Sequence, residues 1–331
     1  MRRINMQENN IYFWSPIMHW EKSEGRIIIN EYNAPTVAVE VFPEFYFCTQ
    51  NGIEIDELID RFSNIDEKEI QELIMFLIEK KVLIKSILNP KDLFESQTKL
   101  FQKYDENLMF DKEKLDAYTN VQLNRMFKGC KKTKIELIKP DDIVLSMFER
   151  KSQRVFDETT KISQDVFSNL FGVLQQIKNK KKVKYAYGSA GGLYPIDIFI
   201  YIKKNRIDGV RRGLYYYHPV SHSIYLVDDM ALITKDVHFY NNKNIFESSA
   251  FSIFMIYNSE SSMVKYGGNA YSYALIEAGI ITATLTSVAE HQGIGLCSIG
   301  DLHFDKVKKY FKLQGNQVLL HVIEGGLKLE E

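Results

Sequence analysis

The sequence predicts an α+β fold in which helices flank a central, mainly antiparallel sheet, with a smaller module in front. Three observations carry this. Runs rich in β-branched and aromatic residues, IDIFIYIKK, LYYYHP, SIYLVDD and FSIFMIYN, crowd the chain after Pro140. They come in hairpins as often as they alternate with helical patterns, which favours antiparallel pairing. From Phe42 to Lys85, by contrast, apolar residues recur mostly at helical spacing. With 331 residues, 45% hydrophobic and 26% charged, the chain is long enough for two domains of roughly 100 to 200 residues.

In chain order, the apolar run FPEFYFC reads as a short strand. Ile55, Leu58, Ile59 and Phe62 mark one helix, and Ile70, Leu73, Ile74, Leu77 and Ile78 a second. Asn64 and Glu67 have capping-box spacing at the second helix, and VLIKSIL reads as a strand stopping near Pro90. Strand, helix, helix, strand suggests a winged-helix-like module over residues 1–90. Its second helix carries Asp66, Glu67, Glu69, Glu72 and Glu79 against Lys68 and Lys80, which would repel phosphates, so a peptide or the rest of the chain suits it better than DNA. Residues 91–140 are charged and helical in tone, a connecting arm, and 141–331 form the main domain. There LYYYHPVSHSIYLV is a hairpin turning near Pro219 to Ser223, a helix rich in small residues runs from about Tyr271 to His291, and QVLLHVIEGG adds a last strand.

Lys plus Arg is 42 and Asp plus Glu 43, a net −1 that offers no field for gripping nucleic acid. Cys48, Cys130 and Cys297 are odd in number and far apart, suiting neither a disulfide framework nor a metal site and pointing to the cytoplasm. The N-terminal arginines have no apolar run behind them, and the longest apolar stretch, Ala278 to Ala289, is bracketed by Glu277 and Glu290, so neither a signal peptide nor a membrane span is expected.

Three segments bear chemistry. In ERKSQRVF, Arg150, Lys151 and Arg154 surround Ser152, donors that match phosphate oxygens. In YAYGSAGGLYP, Gly188, Ser189, Ala190, Gly191 and Gly192 leave the backbone open to a flat ring or a phosphate, at a spacing that is neither GxGxxG nor a Walker loop. In VKYGGNAYSYALIEAG, Lys265 and Tyr266 precede Gly267 and Gly268; neighbours in a regular helix diverge, so a loop is expected to let the two converge.

In this order the segments resemble the flavin-dependent nitroreductase superfamily and, within it, the SagB-type dehydrogenases that oxidise azoline rings in ribosomal peptides. ERKSQRVF is similar to the superfamily's RRSxR element, GSAGGLYPIDIF to PSxGxLYPIE, VKYGGNAYSYALIEAG to KYxxxxYRxALxEAG, and GLCSIGD to a helix exit with IGG. The resemblance covers about residues 145–327. It implies a nitroreductase-like fold and FMN, held by Arg150, Ser152 and Arg154, contacted by Ser189, Ala190 and Gly191 from the partner in a homodimer, with Ile299 and Gly300 near its reactive nitrogen. It makes Lys265 and Tyr266 the catalytic pair: Tyr266 takes a proton from an azoline ring as hydride leaves for the flavin, and Lys265 eases the phenol's ionisation. The implied substrate is a precursor peptide, thiazoline or oxazoline becoming thiazole or oxazole, with a cyclodehydratase complex as partner; the N-terminal module is expected to bind a leader peptide at a strand edge or else to pack on the main domain. Gly188, Ser272 and Asp301 stand where the pattern has Pro, Arg and Gly, and Ser272 withdraws a cation that could have met a phosphate or carboxylate. An NAD(P)H-dependent nitroreductase or ene-type reductase, and a non-catalytic scaffold subunit, stay open as alternatives.

Overall fold

The computed structural model describes residues 11–30, 32–85, 111–127, 129, 134–179, 182–300 and 302–329. The chain divides into two compact units, Met1–Pro90 with Gln153–Glu331, and Lys91–Ser152.

In the N-terminal part of the first unit, β1 (Ile11–Trp14) pairs antiparallel with both β5 (Ile53–Glu54) and β6 (Leu83–Ile84), and β2 (Trp20–Ser23), β3 (Arg26–Ile29) and β4 (Tyr32–Asn33) form a meander. FPEFYFC is not a strand. Glu44–Thr49 is helical, because Phe45 and Thr49, four apart, both turn into the core while Phe47 stays 73% exposed. The helices Ile55–Arg61 and Glu67–Glu79 follow, the second capped by Asp66 rather than Asn64: the Asp66 carboxylate accepts from the amides of Lys68 (3.0 Å) and Glu69 (3.3 Å). Ile70, Leu73, Ile74 and Leu77 face a core shared with Trp14, Ile29, Phe45 and Leu58. The end of VLIKSIL beyond Lys85 lies outside the described residues.

Beyond Gln153 the centre is a six-stranded sheet in the order β11-β10-β9-β12-β14-β13, antiparallel at every step: β9 (Ile196–Ile202), β10 (Gly213–His218), β11 (Ser223–Asp228), β12 (Phe251–Asn258), β13 (Ile294–Ile299) and β14 (Gln317–Leu327). A separate ribbon pairs β7 (Ile177–Asn179) with β8 (Lys182–Lys184). Both faces of the sheet are covered, which is why β9 and β12 read as continuous apolar runs. Ile198, Ile200, Ile253 and Met255 pack beneath the helices Gln164–Gly172 and Asn269–His291, while Phe199, Tyr201, Phe254 and Ile256 pack on the other face with Phe246, Phe304 and Phe311. The long helix Asn269–His291 begins two residues earlier than the sequence suggests. Its length and composition would suffice to cross a membrane. One stripe of it, Ala274, Ala278, Ile281 and Leu285, is buried.

Gly325 and Gly326 of β14 make room for aromatic rings: a Cβ at Gly325 would run into the Phe251 ring, and one at Gly326 would stand 2.9 Å from the Phe156 Cβ. Phe156 in turn seats the segment before it. The amide of Gln153 donates to the Leu296 carbonyl of the edge strand β13 (3.0 Å) and that of Asp157 to the Leu327 carbonyl at the end of β14 (3.0 Å), so residues 153–157 cross from one strand to the other.

In the unit Lys91–Ser152, the described part has a helix Lys112–Leu123 capped by Asp111, a helix Asp142–Ser146 capped by Asp141, and a 3₁₀ turn Met147–Glu149. Residues 91–110 of the expected arm lie outside the described residues. The helix Lys112–Leu123 buries none of its residues.

Candidate active site

Lys265 and Tyr266 occupy the last turn of a helix, Glu260–Tyr266, and not the loop expected for them; Gly267, at φ 54°, ends it. They nevertheless converge. The Lys265 ammonium lies 5.1 Å from the centre of the Tyr266 ring, and both side-chain tips rest over Gly191: a Cβ there would collide with the Tyr266 hydroxyl and come within 2.6 Å of the Lys265 ammonium. A four-carbon stem and a phenol are long enough to bend back to one point from adjacent positions at a helix end. Gly191 is required here twice over, by this close approach and by its φ of 63°. The helix itself is pinned to β12 by a 3.0 Å hydrogen bond between the Tyr257 and Ser262 hydroxyls, and Tyr266 packs edge-on against Tyr273 at 5.3 Å.

The loop before β9 is a turn closed from within. The Gly192 amide donates to the Ser189 carbonyl (3.0 Å), and the Tyr194 amide to the Ser189 hydroxyl (2.8 Å). Ala190 lies in the same 3₁₀ turn, Ala190–Gly192. Tyr185 stacks on Tyr194 at 3.7 Å, and Tyr187 meets both rings edge-on. Gly188 is exposed and open around its α-carbon, so the missing Pro leaves no gap to fill.

Glu277 lies under this turn, and sequence reasoning used it only to bracket an apolar stretch. It is 2% exposed, on the buried stripe of the long helix, and neither carboxylate oxygen has a hydrogen bond of ordinary geometry. Burial pushes its carboxyl up to about 7, with the nearby Ser189 hydroxyl opposing. Burial raises the Tyr187 phenol, with Glu277 adding to it; Tyr194 is raised by burial, then by Tyr185 and Glu277. The helical phase was the available signal: Ala270, Ala274, Glu277 and Ile281 follow one another at spacings of three and four.

A second group of expected residues gathers elsewhere. Arg154 lies in this crossing segment, near enough to Cys297 of β13 for its charge to act there: burial raises that thiol and the Arg154 charge opposes it. Ile299 ends the same strand, and Gly300 follows it. Between β13 and β9, which follows the Gly-rich turn, stand β14 and β12, three strand spacings or about 14 Å in all. One chain thus brings Lys265, Tyr266, Ser189, Ala190 and Gly191 together and sets Arg154 with Ile299 and Gly300 apart from them. Arg150 and Ser152 belong to the other unit, Ser272 is exposed, and Asp301 lies outside the described residues. A cavity of about 1030 Å³ lined by Lys161, Lys204, Arg211 and Arg212 opens where β9 ends and β10 begins, at the opposite end of the sheet from the Gly-rich turn, and is no part of this site.

The pattern of the nitroreductase family matches residues 147–326, more than half of the sequence. The chain belongs to the nitroreductase family. This family's fold is a flavin oxidoreductase fold, and the antiparallel sheet flanked by helices agrees with it. MJ1384 of Methanocaldococcus jannaschii, named as a nitroreductase, is 25% identical over 197 residues, 59% of this chain and 94% of that protein. Indigoidine synthase of Dickeya dadantii is 25% identical over 142 residues, 41% of this chain and 9% of the synthase. Among solved structures, a chain of the E. coli microcin synthetase McbBCD complex with truncated pro-MccB17 bound aligns with a TM-score of 0.51 and 19% identity, covering 65% of this chain and 82% of that one.

Proposed function

We propose that this nitroreductase-family chain is an FMN-dependent dehydrogenase that oxidises thiazoline or oxazoline rings of a precursor peptide to thiazole or oxazole. The observation that carries the reading is the convergence of Lys265 and Tyr266 on the bare backbone of Gly191. As a phenolate, with the Lys265 ammonium as its counter-charge, Tyr266 is a base that becomes the neutral phenol on taking a proton, and an exposed glycine turn lets a flat ring approach within reach of both. Tyr266 takes the proton from the azoline carbon, Lys265 steadies the oxygen that receives it, and the rings of Tyr185 and Tyr194 stiffen the turn that carries Gly191. FMN, when bound, supplies the hydride acceptor.

The residues present fit FMN in two halves. Arg154 would serve its phosphate, with Ile299 and Gly300 at the end of the strand that carries Cys297, while Ser189, Ala190 and Gly191 offer a ring-sized approach to main chain. The distance across the sheet between the halves supports a homodimer in which each subunit completes its partner's site. The long helix has the face for it: Tyr273, Leu275, Ile276 and Ile280 are 39 to 62% exposed, interspersed with Gly279 and Ala283, which allow close packing. The microcin complex shares the fold, and the peptide bound there is compatible with a peptide substrate and a cyclodehydratase partner here.

Tyr266→Phe tests the reading. It keeps the ring and its packing on Tyr273 while deleting the proton acceptor, so turnover on an azoline peptide should fall by about 10² to 10⁴ with the flavin spectrum unchanged. Wild-type turnover in that variant would overturn the mechanism. The likeness to MJ1384 over nearly all of that protein favours one second reading, an NAD(P)H-dependent reductase; rapid NAD(P)H oxidation with a nitroaromatic acceptor, and none of azoline, would select it.

A further inference from the structure

Glu277, Ser189, Gly191 and the Lys265–Tyr266 pair form a contiguous series from the helix to the surface. Glu277 lies one helical turn from Ala274, which packs in the cluster that takes in Tyr266, and is followed by Ala278, which packs with Tyr187 and Ile198. Ser189 stands against it and holds the turn through two hydrogen bonds, its carbonyl accepting from Gly192 and its hydroxyl from Tyr194. The turn fixes Gly191 at its left-handed φ, and the two catalytic candidates rest on Gly191. What touches the pair therefore depends on what lies under Ser189.

The surroundings of Glu277 favour an uncharged carboxyl. Among the described residues it takes part in no ion pair within 4.0 Å, and both oxygens are buried with the Ser189 hydroxyl as nearby polar group but no hydrogen bond of ordinary geometry, where an ionised carboxylate is costly. The titratable groups around it are phenols on the loop side, Tyr185, Tyr187 and Tyr194, Lys265 and Tyr266 beyond Gly191, and, on β14 under the same helix, His321, whose imidazole burial holds below its ordinary range. The helix Gln164–Gly172 and β9 offer this face apolar side chains, Phe167, Leu170 and Ile198; Asp197 of β9 is engaged by Tyr216 and Gln317 instead.

We propose that Glu277 is a positioning residue for the Lys265–Tyr266 pair: uncharged, it supports the Ser189–Gly192 turn beneath them, and its ionisation loosens that turn. A charge forming there has no counter-ion, and the accessible route for water to reach it is through the exposed Gly191 and Gly192. With the carboxyl pushed up to about 7, the change falls in the neutral range. The consequence for turnover rests on the azoline-dehydrogenase reading, whereas the consequence for the turn does not.

Hydrogen exchange of the backbone amides of residues 188–195, corrected for intrinsic base catalysis and referenced to β12, is to be followed from pH 5.5 to 8.5. Protection in the wild type should fall about tenfold between pH 6 and 8, as the uncharged fraction does. In Glu277→Gln, which stays uncharged, protection should hold at every pH. Wild-type protection that ignores pH, or the same fall in Glu277→Gln, would overturn the proposal; Glu277→Met serves the same comparison if the glutamine variant does not fold. On an azoline peptide the wild-type kcat should show a matching midpoint near 7 that the Glu277→Gln enzyme lacks, and a shared midpoint in both enzymes counts against the positioning role. A wild type inactive on azoline peptides overturns the reaction, and the exchange profile still decides the role of Glu277 in the turn.

Discussion

Two buried glutamates of the main domain make an instructive pair. Burial pushes both Glu277 and Glu324 up to about 7, yet their neighbours differ completely. Glu324, in β14, accepts hydrogen bonds from the hydroxyls of Ser249 (2.7 Å) and Ser252 (2.8 Å) and faces the His238 ring at 3.5 Å. Lys203 lies close enough to pull the Glu324 carboxyl back down, and its own ammonium is held by the carbonyls of Phe246 and Glu247 over the Phe246 ring. Arg206 completes the surroundings, donating to the carbonyls of Asp157 (2.6 Å) and Ser248 (2.8 Å). This polar cluster ties β12 and β14 to the helix Asn242–Ser248 and belongs to the fold. Glu277 has none of these partners and lies under a glycine turn. A raised acid alone marks burial; a raised acid whose nearby polar group is a hydroxyl on an open glycine turn is a candidate for a role at the surface.

The largest effect expected from that difference is on Glu324. Glu324→Ala leaves His238, Lys203 and two serine hydroxyls facing an empty acceptor position, and breaking a buried pair in this way costs about 3 to 5 kcal/mol. Calorimetry should show a drop in Tm of roughly 6 to 20 °C, at about 2 to 4 °C per kcal/mol for a domain of this size. A loss smaller than that of Glu277→Ala would break the contrast between the two acids.

The next effect has the opposite sign. With a folded value near 7 above the ordinary 4.5, Glu277 contributes stability that is fully present below about 4.5 and is lost as pH rises through 7. Glu277→Gln removes that dependence. At pH 8.5 the variant should be more stable than the wild type by up to about 3 kcal/mol, the free energy of moving a carboxyl that far, and at pH 4 to 5 the two should nearly coincide. Glu324 acts in the same direction, and His238, lowered to about 4 by burial and by Lys203, weakens the fold as pH drops below 6.5. Both act equally in the two proteins, so urea midpoints read as differences isolate Glu277. A constant offset across pH 5 to 8.5 would show that its charge state does not matter.

Where the signal was local, the sequence was legible. FSIFMIYN is β12 residue for residue, IDIFIYIKK overshoots β9 by its two lysines, and the hairpin of β10 and β11 turns where Pro219 to Ser223 suggested. FPEFYFC misled because a short aromatic run fits a strand as well as a helix until burial at Phe45 and Thr49 selects the period. Lys265 and Tyr266 were singled out by order and type, but their helix was missed because it is only seven residues long and Gly267 reads equally as loop or helix end, while Ser259 at its start makes no capping hydrogen bond. The approach of Arg154 to Cys297 spans more than a hundred positions and follows from Phe156 fitting over Gly326, which no local pattern announces.

The smallest effect is also the most selective. Gly191 and Gly192 both have left-handed φ, 63° and 67°, so an alanine at either position should cost about 1 to 2 kcal/mol of backbone strain. Their surroundings differ. A Cβ at Gly191 meets the Lys265 and Tyr266 tips, whereas a Cβ at Gly192 meets nothing within 4 Å. The colliding atoms are the free ends of flexible side chains and can swing aside, so the collision adds little to the loss of stability but moves the two groups proposed to handle the proton. Gly191→Ala and Gly192→Ala should therefore lower Tm by similar amounts, a few degrees. Only Gly191→Ala should lower turnover on an azoline peptide, by about tenfold to a hundredfold, since a displacement of about 1 Å at a reacting group has that scale of effect. Thermal melts and initial rates on both variants suffice. Equal losses of activity would assign the effect to strain in the turn, and would remove the contact with Gly191 as the feature that distinguishes this end of the sheet from the buried cluster around Glu324.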